Sequence, residues 1–187
     1  MSKPFCIFDI ETTRLDDFGH MLAATIGEIN YDSTGMKCVP TTLLLNDFPG
    51  ETLYDDKWLV QATVKELEKY NCVVGWYSKG FDAKFIRRRL LHHRLPDWTP
   101  QLHLDLYYMY KCNFKTGEMS CRLAAASEFL ELPEPKMTVD RKTWKGAWYG
   151  ETEAMEKIRK RCESDVQITA AAFQILLPFA KPTSFKP

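Results

Sequence analysis

Near its start the chain reads Pro4-Phe5-Cys6-Ile7-Phe8-Asp9-Ile10-Glu11, an apolar run that ends in two acids. A short run that is apolar on both alternating faces reads as a central strand covered from both sides. Strand side chains alternate, so Asp9 and Glu11 project from one face and Ile10 from the other. Two carboxylates about 4 Å apart repel by roughly 4 kcal/mol at an effective dielectric of 20. A cation, a proton or solvent has to offset that repulsion. The plain alternative is a solvated strand end, with Asp9 or Glu11 capping a turn with Thr12 and Thr13.

The rest of the pattern supports helices around such a strand. Strands are expected over 22–31 and 37–45, joined by a hairpin turn at Asp32-Ser33-Thr34-Gly35. Leu59, Val60, Val64, Leu67 and Tyr70 recur at helical spacing over 58–70. Residues 72–77 read as another buried strand. Residues 82–94 read as a helix that stops before Pro96. A short strand at 102–105 precedes helical segments near 106–111 and 120–131. Pro133, Pro135, Gly146 and Gly150 mark 132–150 as a loop, and a long helix is expected over about 152–177. A hairpin-rich start followed by strand–helix alternation implies a three-layer α/β domain with a mixed sheet. At 187 residues, 45% of them hydrophobic, the chain has the length of one domain and the means to fill its core.

Two further acids stand where acids are costly. Helical spacing puts Met155, Ile158, Cys162, Asp165, Thr169, Phe173 and Leu176 on one stripe, so Asp165 faces inward. Unpaired carboxylates are almost never buried, and the simple remedy is an ion pair with Arg161 one turn earlier. Asp82 opens the helix that follows a strand, a place that also suits an ordinary first-turn acid. Brought together, Asp9, Glu11, Asp82 and Asp165 would form an all-oxygen site for hard divalent cations such as Mg²⁺ or Mn²⁺. A pair of such ions suits in-line phosphoryl displacement.

These residues also carry a resemblance. Phe8-Asp9-Ile10-Glu11-Thr12-Thr13, Gly75 to Asp82 (GWYSKGFD) and Arg161-Cys162-Glu163-Ser164-Asp165-Val166 resemble, in order, the three motifs of the DEDD superfamily. These are the ribonuclease H-like 3′–5′ exonucleases. His103-Leu104-Asp105-Leu106 and Ser120-Cys121-Arg122-Leu123 resemble connecting segments in the exonuclease domains of family B DNA polymerases and their stand-alone relatives. The resemblance runs from about residue 5 to residue 172. It implies a single ribonuclease H-like three-layer α/β domain over 1–187 with a central mixed five-stranded sheet. It also implies two divalent metal ions, Mg²⁺ or Mn²⁺, held by Asp9, Glu11, Asp82 and Asp165, and release of nucleoside monophosphates from a 3′ end. Thr12, Thr13 and Leu15 would lie near the terminal nucleotide, with Phe81 and Arg161 of the second and third motifs on the substrate side.

The sequence departs from the family at two points. Tyr77 stands where many relatives have Asn, so a phenol would stack on a base or donate to a phosphate. Arg161 and Lys160 stand where the family usually places Tyr or His, and neither is a plausible base at neutral pH. Metal alone, His20 or a residue of 132–150 would then have to activate water. The alternative is a catalytically weak or inactive nucleic-acid-binding module of the same fold.

Charge and cysteine content narrow the partners. Twenty-five basic and twenty-five acidic side chains argue against gripping duplex nucleic acid by bulk charge. Lys84, Arg87, Arg88, Arg89 and Arg94 could still track a strand backbone, or simply form a solvated helix face. Arg141 to Tyr149 interleave basic and aromatic residues, which suits single strands, unless Trp144 or Trp148 anchors that segment to the core. The expected partner is a single-stranded nucleic acid 3′ end, DNA in first place, with a replication, repair or recombination protein to supply it. No apolar run is long enough to span a membrane, and Asp9 comes too early for a signal-peptide core. Six scattered cysteines without a CxxC pair, and histidines off ligand spacing, suggest reduced thiols in the cytoplasm and no zinc.

Overall fold

The computed structural model describes residues 3–16, 18–33, 35–48, 50, 54–133 and 136–187. Thr34 of the expected hairpin turn and Pro135 of the expected loop lie outside the described residues.

Five strands, β1 (Lys3–Thr12), β2 (Met21–Asp32), β3 (Gly35–Leu44), β4 (Tyr70–Gly75) and β5 (Leu102–Asp105), form one sheet in the order β3-β2-β1-β4-β5. β1 and β3 both run antiparallel to β2, while β4 is parallel to β1 and β5 is parallel to β4. The helices are α1 (Lys57–Leu67), α2 (Asp82–His92), α3 (Leu106–Phe114), α4 (Leu123–Phe129), α5 (Arg141–Trp148) and α6 (Thr152–Leu176). None of them is long and apolar enough to cross a membrane.

The alternation of β1 divides the core in two. Phe8 and Ile10 enter one cluster with Leu59 and Val60 of α1, Phe85 and Ile86 of α2, and Met155 and Ile158 of α6. Ile7 enters the other, with Val74, Leu104, Leu106, Tyr110, Val166 and Phe173. The first half of α6 therefore serves one face and its second half the other. The handover falls at Cys162, whose thiol donates to the Asp9 carbonyl oxygen at 3.4 Å. Beyond it the helix lies close over β2: a Cβ on Gly27 would stand 2.7 Å from Val166 Cγ1. Asp9 and Glu11 share the odd-numbered face of β1 with Ile7, so α6 delivers Asp165 to their side.

One expected loop is partly a helix. Residues 141–148 form α5, started by Asp140, whose carboxylate accepts the Thr143 N–H at 2.6 Å. Gly146 reads as a breaker in sequence, but here it lets α5 approach α6. A Cβ there would sit 2.5 Å from Glu151 Oε2 and 3.0 Å from Ala154 Cβ. Trp144 and Trp148 both pack against the first core cluster. The basic–aromatic interleaving is thus amphipathic helix patterning; it corrects the loop expected over 141–148 and anchors both tryptophans, not one, to the core.

The basic run of α2 also divides. Arg89 is buried and grips Asp56, its Nη2 lying 2.7 Å from Oδ1. Asp56 has no exposed surface, accepts the Met21 N–H at 2.7 Å and lies 2.6 Å from His93 Nε2. Arg87 pairs with Asp97 on the surface, and the Arg88 guanidinium lies 4.6 Å from the Phe85 ring centroid. Burial alone would raise Asp56, but hydrogen bonds from Arg89, His93 and the Met21 N–H prevail and hold it below the usual carboxylate range. A depressed acid stabilises the fold above its unfolded-state pKa and loses that contribution as pH falls through its folded value. Asp56→Ala should cost about 3–5 kcal/mol, because Arg89 keeps a buried charge without a partner. Urea unfolding at pH 7 measures this loss, and the gap between mutant and wild type should narrow below about pH 4.

Candidate metal centre and active site

Three segments far apart in sequence meet at the carboxyl end of β1. Asp9 and Glu11 project from the strand, and Asp165 comes from α6, 3% exposed. Carboxylate oxygens of these three lie within 4.8 Å of one another. Asp82, at the first turn of α2, is 5% exposed, and its Oδ1 accepts the Ile10 N–H at 3.1 Å. This bond ties α2 to the backbone between the two strand acids. Asp82 stands beside the trio rather than within it, yet among neighbouring charges it acts on Asp9 most strongly.

Burial is the main cause that drives the Asp9 carboxyl well above its ordinary value, with Asp82, Glu11 and Asp165 adding to it. Burial likewise lifts Glu11 to about 7, against the opposing pull of Arg161. Asp82 also rises to about 7, through burial that its bond to the Ile10 N–H offsets in part.

Two cations share this site. Lys136 Nζ lies 2.7 Å from Asp165 Oδ2. Arg161 Nε lies 2.6 Å from Glu11 Oε1 in a charge contact without hydrogen-bond alignment. Its Nη1 donates to the Met137 carbonyl at 2.7 Å, and its guanidinium carbon is 5.8 Å from the Trp144 ring centroid. The expected i−4 pair of Arg161 with Asp165 exists as a looser contact at 3.6 Å. Among the described residues, Asp165 Oδ1 is buried without a hydrogen-bond partner. Buried lone pairs of this kind call for a ligand, and hard carboxylate oxygens suit a hard divalent cation. The residues therefore fit Mg²⁺ or Mn²⁺, and Asp9, Glu11 and Asp165 could hold it.

The loop between β4 and α2 is organised by two groups that the sequence reading did not single out as functional. Asp105 Oδ1 accepts the Tyr77 and Tyr107 N–H groups at 3.0 Å each, and Oδ2 accepts the Lys79 N–H at 2.8 Å. His103 Nε2 meets Ser78 Oγ at 2.8 Å, and burial holds this imidazole down to about 3. These bonds hold Tyr77 at a φ of 64°, a conformation unusual for a bulky side chain. Its ring meets Tyr107 at 4.8 Å and Tyr108 at 5.8 Å between centroids. Beside them opens a cavity of about 450 Å³, lined by Asp9, Trp76, Tyr77, Tyr107, Arg122, Leu123, Ala124 and Lys136.

The remaining expected residues are spread around this centre. Thr12 is buried, and its hydroxyl donates to the Arg14 carbonyl. Thr13 Oγ1 accepts the His20 N–H at 3.1 Å and meets His20 Nδ1 at 3.2 Å. His20, one alternative base, is thus engaged with Thr13, and its ring packs on Tyr54. Leu15 is exposed in the β1–β2 loop, and Lys84 is exposed on α2. Phe81 is half-buried against Phe85 and the first core. Lys136 was missed because a single lysine in an irregular segment carries no periodic signal. Asp105 was recoverable as an acid immediately before a helix.

A family model of the RNase H superfamily matches residues 6–176. The chain belongs to the RNase H superfamily. Its fold is the expected three-layer α/β arrangement around a mixed five-stranded sheet. Among solved structures, the family B DNA polymerase from the hyperthermophilic archaeon Pyrobaculum calidifontis is similar over 93% of this chain, with a TM-score of 0.68 and 17% identity. The chain spans 24% of that polymerase's length, and the likeness carries the fold. Among curated proteins none matches. The RNase H fold is a nuclease-type fold that typically works with divalent metals, and a buried acidic cluster of Asp9, Glu11 and Asp165 is present here.

The raised acids set a pH dependence. Between the ordinary value of 4.5 for Glu11 and its folded value of about 7, the native state holds protons that the unfolded chain has released. Stability of the metal-free protein should therefore fall as pH rises through that window. Thermal melts in EDTA should show the decline, and millimolar Mg²⁺ should reverse it above pH 7. Melting temperatures indifferent to both pH and Mg²⁺ would refute the electrostatic account.

Proposed function

We propose that this RNase H superfamily member is a divalent-metal-dependent 3′–5′ exonuclease. It hydrolyses phosphodiester bonds at the end of single-stranded nucleic acid, DNA in first place, and releases nucleoside 5′-monophosphates. The observation that carries this reading is the convergence of Asp9, Glu11 and Asp165, with Asp82 alongside and Asp165 Oδ1 left without a partner. Such a cluster stores repulsion that a fold without a ligand has no reason to keep. When bound by these acids, a divalent ion supplies Lewis-acid activation of water and neutralises charge on the leaving oxygen.

The chain's own residues do the rest. A strand end entering the cavity beside Asp9 meets Tyr77 and Tyr107, whose rings can stack on bases. Arg122 and Lys136 line the same cavity and offer positive charge to phosphate oxygens. Asp82 fixes the β1 backbone through the Ile10 N–H, so Asp9 and Glu11 keep their relative positions. Six free thiols suit a reducing, cytoplasmic setting. A partner in replication, repair or recombination would deliver the strand.

A second reading has its own observation. Arg161 cannot act as a base, and it already neutralises Glu11. In this reading the chain binds strand ends with little or no turnover.

Digestion of end-labelled single-stranded DNA and RNA with Mg²⁺ or Mn²⁺ separates the two. The exonuclease yields monophosphates, stops in EDTA, and loses on the order of 10²–10³-fold or more in rate in Asp165→Asn. Binding without products in either metal supports the second reading. Tyr77→Ala and Tyr107→Ala should each weaken oligonucleotide binding by about 1–3 kcal/mol per stacked base. Fluorescence anisotropy measures that loss, and unchanged affinity would remove the stacking role.

A further inference from the structure

Arg161 is unusually well held for a surface-derived arginine. Its Nε approaches Glu11 Oε1 at 2.6 Å, its Nη1 donates to the Met137 carbonyl at 2.7 Å, and Trp144 covers the guanidinium. The side chain is 18% exposed. It leaves α6 one turn before Asp165, so helix geometry aims it at the acids. Glu11 Oε1, an oxygen that a second divalent ion would need, therefore already faces a fixed cation.

The donors left open form a smaller set. Among the described residues, Asp165 Oδ1 is buried without a hydrogen-bond partner and Asp9 has no side-chain cation of its own. Fully ionised, Asp9, Glu11, Asp82 and Asp165 carry four negative charges. Lys136 and Arg161, the cations in contact with these acids among the described residues, bring two positive ones. One divalent cation closes the balance before any strand arrives. Two would leave the buried pocket doubly positive, with the second ion pressed against the guanidinium.

We propose that Arg161 takes the place of one metal ion, so that the centre holds a single divalent cation between Asp9 and Asp165. The guanidinium then provides the positive charge that a second ion would bring to Glu11, and it cannot be removed by a chelator. This rests on the metal-binding reading above and replaces its expected pair of ions with one ion and one side chain.

The test is the binding stoichiometry of Mn²⁺, titrated into the full chain without nucleic acid and read by calorimetry and by electron paramagnetic resonance. Wild type should bind one equivalent. Arg161→Ala should bind two, with the spin–spin coupling of a close Mn²⁺ pair. Arg161→Lys, which keeps the charge, should remain at one. Two equivalents in wild type overturn the inference while leaving the metal reading intact, and this measurement needs no variant to fold. A folded Arg161→Ala that still binds one equivalent also overturns it. No binding by wild type at millimolar Mn²⁺ defeats the metal reading itself, and this inference with it.

Discussion

Negative charge gathered at the carboxyl end of β1 is the constraint around which the molecule is arranged. Asp9, Glu11 and Asp165 come within 4.8 Å of one another in a place where water cannot screen them fully. Unopposed, that repulsion would be a serious fraction of a domain's marginal stability. Protons, Lys136 and Arg161 each relieve part of it in the metal-free protein. An ion would relieve it more completely. Folding energy and ligand affinity are thus two uses of one electrostatic strain.

The scaffold makes that strain sustainable. β1 is covered on both faces, which fixes its register and hence the direction of its acids. α6 serves both cores and changes from one to the other at Cys162, beside the Asp9 carbonyl. Its two anchored halves leave Asp165 little freedom to retreat. α2 is tied down twice, by Asp82 at its start and by the Arg89–Asp56 pair near its end. The Asp105 and His103 bonds hold the β4–α2 loop against β5, so the tyrosines stand beside the acids without being part of them.

Arg161 belongs to the same balance: one turn before the last acid it brings charge rather than a proton acceptor. It pairs with Glu11, donates to the Met137 carbonyl and lies over the Trp144 ring. A helix carries that tryptophan, and Gly146 allows the helix to lie close to α6. α5 therefore acts on the centre through Arg161, although none of its residues belongs to the acidic cluster.

Much was legible in the residues themselves, for local reasons. Alternation along β1 put Asp9 and Glu11 on one side, and the helical stripe of α6 turned Asp165 inward; both are periodicities that survive folding. The five strands and the long last helix followed from the same patterns. Helix α5 did not, because Gly146 signals a break locally and is a close-packing device only when α6 is present. The basic run on α2 looked like a single feature, yet burial drew Arg89 to Asp56 and left Lys84 in solvent. Lys136 on Asp165, Arg161 on Glu11 and Asp82 on the Ile10 N–H link residues 29, 150 and 72 positions apart. Sequence alone determined that Asp9 and Glu11 share one face and that Asp165 turns inward, since that depends on the period of each element. Apart from the contact of Arg161 with Asp165 within α6, only tertiary structure decided which cations and backbone groups answer them, since those partners arrive from other segments and no period connects them.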